Sequence, residues 1–277
     1  MNIWQADFYR RPLQDALGSP LWELIICDAD RHLIWSEFIS QKQANSPWLT
    51  EQLRSIPLPR PDRLQVFRPQ SVALLQTACQ PLDIPVESTR HASALKQLLQ
   101  ERIAYYRGLP HYTSEPYDPI KLEAPPPAPL PENLWGDQWR FGAIAAQDLI
   151  PAFQNRPIPV QDIPAAFHPD QLQIAPATPI PGVIIDAGRK SRSLTQWLQQ
   201  AKPFSLNYIS GDPDGLILEA GLCDRWILST FSEPDIASSA KIFSQRRQEA
   251  RGLHFLLVQP DNSGMTYAGI WLLKADQ

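Results

Sequence analysis

The sequence is poor in cysteine. Its three, Cys27, Cys79 and Cys223, are odd in number and far apart, so they supply neither a disulfide scaffold nor the C-x-x-C spacing of a metal site. That usage points to a reducing compartment. Glycine is also scarce, 12 in 277 residues, and no G-x-G-x-x-G or Walker-type loop is present to cradle a nucleotide cofactor. The five histidines, His32, His91, His111, His168 and His254, form no H-x-x-x-H or H-E-x-x-H pair, so neither a zinc centre nor any other cofactor is expected. No apolar run approaches the ~18 residues of a membrane span. The first residues show neither a secretory signal nor an Arg/Ser-rich transit pattern. The expectation is a cytoplasmic protein, at most peripheral on a membrane. A formal charge of −4 gives no global pull on polyanions, so a nucleic-acid site has to be a local basic patch.

Proline, by contrast, is abundant. The 29 prolines break helices and central strands wherever they cluster, and the stretch from Pro110 to Pro131, with Ala124-Pro-Pro-Pro-Ala-Pro-Leu-Pro131 at its end, reads as an extended, semi-rigid linker. Two α/β domains follow from this: residues 1–109, the linker 110–131, and residues 132–277. A second proline-rich region, Pro151 to Pro181, is expected to wrap the surface of the C-terminal domain.

In the N-terminal domain, Ile3–Tyr9, Leu21–Cys27 and Leu33–Phe38 are short apolar runs separated by turn-like segments, and read as a three-stranded antiparallel meander. Ser46-Pro47 opens a helix with Trp48, Leu49, Leu53 and Ile56 on one face. Leu64–Phe67 reads as a strand, Ser71 as the cap of a second helix with Val72, Leu75 and Cys79, and Ile84–Glu87 as another strand. A third helix runs from Ser93 through Leu95, Leu99 and Tyr106 to a left-handed C-cap at Gly108. This order is that of ribonuclease-H-like α/β folds. The C-terminal domain reads as a mixed sheet with helices: strand Gly182–Asp186, a helix from Ser193, strands Phe204–Ile209, Leu216–Ala220 and Trp226–Phe231, a basic helix Asp235–Arg251, and a closing hairpin of Leu253–Val258 and Tyr267–Leu273. Gly211-Asp-Pro-Asp-Gly215 reads as a hairpin turn, since it lacks the further ligands of a calcium loop.

Two chemistries compete in these residues. A metal-dependent nuclease is conceivable from Asp7, Glu23 and Asp28 on or beside adjacent strands, but Arg68 stands where a further carboxylate is wanted, so the chain is expected to be catalytically empty. Binding has the better signal. Arginine makes up 18 of the 25 basic residues, and its planar fork suits phosphates and stacked bases. The candidate RNA-binding set is Arg10 and Arg11 beside Phe8 and Tyr9, then Arg60, Arg63 and Arg68 (with Arg54 in the same run), then Arg189, Lys190 and Arg192, and finally Arg246 and Arg247 with Arg251. Each cluster taken alone reads more readily as a solvated face.

Specific words extend the reading. Trp4-Gln-Ala-Asp7-Phe8 with Arg11-Pro12, Leu21-Trp22-Glu23-Leu24 with Cys27-Asp28, Phe67-Arg68, Ala78-Cys79, Gln100-Glu-Arg102, Leu130-Pro-Glu-Asn-Leu134-Trp-Gly136, Ile180-Pro-Gly182, Gly252-Leu-His-Phe255-Leu and Trp271-Leu272-Leu273 occur in order along the chain. Jointly they resemble the Tab-two (Atab-two) family of cyanobacteria and chloroplasts. The resemblance implies binding to single-stranded A/U-rich RNA such as a messenger leader, a role in translation or assembly of photosystem reaction-centre subunits, and no catalytic step. Ribosomes or photosystem subunits are further implied partners. The missing transit pattern suggests a cyanobacterial member, cytoplasmic or peripheral at the thylakoid surface. The alternative function is a protein-binding assembly factor whose arginines meet acidic subunit surfaces.

Overall fold

The architecture comes from a computed structural model that describes residues 2–274. The chain divides into two compact units, Met1–Glu123 and Ala124–Gln277.

The first unit begins with β1 (Ile3–Gln14), β2 (Pro20–Cys27) and β3 (Leu33–Ser40), followed by α1 (Ser46–Ser55), β4 (Arg63–Val66), α2 (Pro69–Cys79), β5 (Val86–Ser88) and α3 (Ser93–Arg107). Its sheet has the order β3-β2-β1-β4-β5. The first three strands pair antiparallel, while β4 runs parallel to β1 and β5 parallel to β4. That is the ribonuclease-H-like arrangement the element order predicts. Alternation along the strands decides the faces: Trp4, Ala6, Phe8, Leu24 and Ile26 pack with Leu49, Leu53, Leu75 and Cys79 of α1 and α2, and Ile25 and Cys27 face Leu95 and Leu99 of α3.

Three local expectations are corrected. Asn45, not Ser46, caps α1, its side chain accepting from the Trp48 N–H at 2.9 Å. Ser71 lies inside α2 and donates its hydroxyl to the Phe8 carbonyl at 2.7 Å, tying the helix to β1 instead of capping it. Gly108 ends α3 with φ −86°, so the helix leaves without a left-handed residue.

The linker is corrected as well. Residues 110–123 belong to the first unit as a strap across the end of β1, with the Gln14 N–H bonded to the His111 carbonyl and the Thr113 N–H to the Pro12 carbonyl. These two bonds make a single antiparallel bridge, Leu13 opposite Tyr112, and Pro110, Pro116 and Pro119 keep it from growing into a strand.

The second unit holds two sheets. One, ordered β7-β9-β13-β14-β8, comprises β7 (Gln138–Ala145), β8 (Val160–Asp162), β9 (Pro179–Asp186), β13 (Leu253–Gln259) and β14 (Gly269–Lys274). The other, ordered β10-β11-β12-β6, comprises β6 (Ala128–Pro129), β10 (Pro203–Ile209), β11 (Asp214–Ala220) and β12 (Asp224–Phe231). Helices α4 (Ala146–Gln154), α5 (Ser191–Ala201) and α6 (Pro234–Glu249) complete it. The five-stranded sheet is apolar on both faces, as a sheet covered on both sides must be. Val183, Leu256, Trp271 and Leu273 meet Leu216, Leu218 and Phe231 of the second sheet with Leu194 of α5 and Phe243 of α6. Phe255, Leu257, Ile270 and Leu272 meet Leu149 and Phe153 of α4. The closing hairpin pairs as expected, Leu256 opposite Trp271. The proline-rich region does more than wrap a surface: it yields part of α4, the edge strand β8 beside β14, and Ile158 and Ile174 for the core.

Candidate nucleic-acid interface

Strand alternation places Asp7 and Arg11 of β1 and Glu23 of β2 on one face of the first sheet, and Arg68 enters it just past the end of β4. All four are buried. Arg11 donates from Nη1 to Asp7 Oδ2 at 3.0 Å and from Nε to Glu23 Oε2 at 2.8 Å, while Arg68 donates from Nε to Asp7 Oδ1 at 2.9 Å. Glu23 Oε1 accepts from Ser36 and from Arg102 of α3, and its Oε2 also accepts from the Tyr106 hydroxyl. The strap closes the site: Arg68 reaches the carbonyls of Lys121 (3.0 Å) and Pro119 (2.7 Å), and Tyr117 accepts from Arg11 at 3.3 Å. Burial alone pushes the Glu23 pKa up, but the charges of Arg11 and Arg102 with the Tyr106 hydrogen bond outweigh it and hold the carboxylate below its usual range.

Every oxygen of Asp7 and Glu23 is thus engaged by a cation or a hydroxyl, and a metal would have to displace buried guanidinium groups to reach them. Asp28, the third acid of the nuclease reading, stays apart at the end of β2. It holds the β2–β3 turn by accepting from the backbone of Asp30 and His32 and from the His32 ring. The same geometry corrects the RNA-binding set. Arg11 and Arg68 are consumed inside the fold and reach no phosphate. Arg247 is drawn inward too, donating to Asn207 Oδ1 at 2.6 Å and to the Leu206 carbonyl, with its pKa lowered by burial.

The other candidates lie at the surface. Arg10 is 61% exposed and pairs loosely with Glu123 at 3.3 Å. Arg60 donates to the Leu82 carbonyl, Arg63 pairs with Glu87, and Arg54 with Glu51. Arg189, Lys190 and Arg192 are exposed together between β9 and the first turn of α5, while Arg246 is partly exposed on α6 and Arg251 bonds the Leu172 carbonyl. The family words Trp4, Phe8, Trp271, Leu272 and Leu273 are core, and the half-buried Trp22 packs on Phe8 with ring centres 5.2 Å apart. Those words encode the fold.

Sequence reasoning passed over one feature of the second unit. Trp135, in the word Leu130–Gly136, is 51% exposed, and its ring is fixed by a 2.7 Å hydrogen bond from Nε1 to the Leu130 carbonyl. Beside it opens a cavity of about 160 Å³ walled mainly by Leu134, Trp139, Ile185, Leu194 and Leu228. Lys190 reaches the Glu132 carbonyl at 3.4 Å, which brings one cation of the exposed basic cluster to the turn beside the cavity. A tryptophan in a family word that holds Glu132 and Asn133 and ends on Gly136, outside any apolar-periodic run, was the available signal.

Comparison with known proteins bears on these surfaces. The family model described as "RNA-binding protein Tab2/Atab2 N terminal" matches residues 3–102, and that described as "RNA-binding protein Tab2/Atab2, C-terminal domain" matches residues 117–274. "Protein TAB2 homolog, chloroplastic" of Zea mays is 28% identical over 281 aligned positions, covering 98% of this chain and 70% of the maize protein. The Arabidopsis thaliana protein of the same name is also 28% identical, covering 98% of this chain and 74% of its own. A solved structure of the HTLV-2 integrase catalytic core covers 39% of this chain and 75% of that one at 17% identity and a TM-score of 0.25, an overlap that bears on neither fold nor chemistry. With both domain models matched in order along nearly the whole length, the chain belongs to the Tab2/Atab2 family of RNA-binding proteins.

Proposed function

We propose that this protein is a non-enzymatic RNA-binding factor that grips single-stranded A/U-rich RNA, such as a messenger leader, and supports translation or assembly of photosystem reaction-centre subunits. It would act in the cytoplasm or at the thylakoid surface, where ribosomes or photosystem subunits are its protein partners. The observation that carries this reading is the match of both units to models of an RNA-binding family. The site chemistry is compatible with it. Asp7 and Glu23 are neutralised by arginine and Asp28 is held in a turn apart from them, while exposed arginines remain on both units, notably Arg10 and the 189–192 cluster.

The test is crosslinking and sequencing of the bound RNA, run beside affinity capture of proteins from the same lysate. Enrichment of A/U-rich, unpaired leader segments is the expected result. Recovery of photosystem subunits without any crosslinked RNA would replace this reading with the protein-binding assembly factor.

A further inference from the structure

We infer that the cavity beside Trp135 is a base-binding pocket: one base of a single strand enters it and stacks on the indole, while the flanking phosphates lie on Arg189, Lys190 and Arg192. This rests on the RNA-binding reading above and adds the place and chemistry of contact.

The size fits one ring system. The cavity measures about 160 Å³, and an apolar cavity of ~150 Å³ is enough to take up benzene. The chemistry fits as well. The walls are chiefly leucine, isoleucine and tryptophan, which favour a flat, weakly polar group, while Gln138 and Ser229 offer the few polar atoms a base edge can use. The exposed ring of Trp135 is held by its own Nε1 hydrogen bond, and a pre-oriented aromatic face is the platform on which single-strand binders stack bases.

Charge settles the occupant. Lys190 touches the turn that walls the cavity, and Arg189 and Arg192 flank it in sequence. Asp137, pressed against Gly188, and Glu132 are the acids of this rim, and Asp186 nearby is engaged by Arg140 and Gln259. Three exposed cations beside an apolar slot and an exposed indole suit a phosphodiester strand with one base turned inward. Gly136 keeps the floor tight, since a Cβ there would lie 2.6 Å from Ile185 Cγ2.

The experiment is a titration of the full chain with a fluorescent single-stranded U-rich oligoribonucleotide and with its abasic counterpart. Wild type, Trp135→Ala, Trp135→Phe, Leu228→Phe and a triple Arg189→Glu, Lys190→Glu, Arg192→Glu variant are compared, each checked for an unchanged melting curve. Trp135→Ala and the cavity-filling Leu228→Phe should weaken binding of the ordinary strand about tenfold or more. Both should leave binding of the abasic strand nearly unchanged, and Trp135→Phe should restore most of the loss. The triple variant should weaken both strands alike. If the wild type binds and Trp135→Ala and Leu228→Phe bind equally well, the pocket is overturned while the RNA-binding reading stands. A wild-type chain that binds no single strand even at low salt overturns both.

Discussion

His254 of β13 is buried on every side, accepting from the Leu206 N–H at 2.9 Å through Nε2 and facing the Gly252 carbonyl at 2.8 Å through Nδ1. It is a satisfied neutral ring, with no role to play in metal or acid–base chemistry. Burial drives its pKa from 6.5 down to about 3, against the opposing Gly252 hydrogen bond and with help from the Arg247 charge. The unfolded chain therefore takes up a proton near pH 6.5 that the folded chain refuses. Stability contributed here is complete above that pH and is lost as pH falls through it toward 3. By pH 5 the loss should be about 2 kcal/mol, at 1.36 kcal/mol per unit. Denaturant unfolding at pH 7.5 and pH 5 should show it, and His254→Gln should flatten the difference. The exposed His32, whose pKa is raised by its hydrogen bond to Asp28, works in the opposite sense and cannot produce such a loss. Asp7 tests the buried network. Asp7→Asn leaves Arg11 and Arg68 charged and underpartnered, which should cost about 3–5 kcal/mol, whereas Glu51→Gln, breaking the exposed pair with Arg54, should cost at most about 1 kcal/mol.

Among the elements, the β13–β14 hairpin carries the second unit. It lies inside the five-stranded sheet with apolar side chains on both faces, so Trp271→Ala should destabilise by about 3–5 kcal/mol. Removing residues from Trp271 onward should collapse the unit, with a melting curve beside that of the intact chain as the check. An unchanged melting temperature with lost RNA binding would make Trp271–Leu273 a docking tail instead. This hairpin was legible in the sequence because two nearly continuous apolar runs flank an Asp-Asn-Ser-Gly turn, and the meander of the first unit was legible too. Strand β7 and helix α4 were not. The alternation of β7 is diluted by Gly142 and Ala143, and α4 carries Pro151 in its interior, so for different reasons both are elements whose order depends on tertiary packing. The strap 110–123 escaped because much of its hold on the first unit lies in backbone groups, with Tyr117, Leu122 and Glu123 adding scattered side-chain contacts that composition does not reveal. The candidate site was half legible. Clusters of arginine announce phosphate chemistry and buried ion pairs in the same letters, and only partner geometry separates Arg10 from Arg11.

For the whole molecule, a net charge of −4 means that RNA affinity must come from a few exposed cations and should be steeply salt-dependent. Each phosphate contacted contributes roughly 0.7 to the log–log slope for a single strand. Reversing Arg189, Lys190 and Arg192 should lower the slope by about 2, if each cation meets one phosphate. A slope indifferent to that reversal would move the phosphate path elsewhere, with Arg10, Arg60 and Arg63 next to test. The buried ion pairs of the first unit also constrain how this sequence can change over generations. Arg68 and Arg11 share the carboxylate of Asp7, so replacing either arginine by an acid sets two negative charges together in a dry interior, and replacing Asp7 strands two positive ones. Any route between this charge set and a cluster of acids able to hold a metal therefore passes through single mutants that fold poorly. The shared carboxylate of Asp7 thus separates the arginine-filled form from a metal-holding one by poorly folded intermediates, whatever selection acts on the RNA-facing surface.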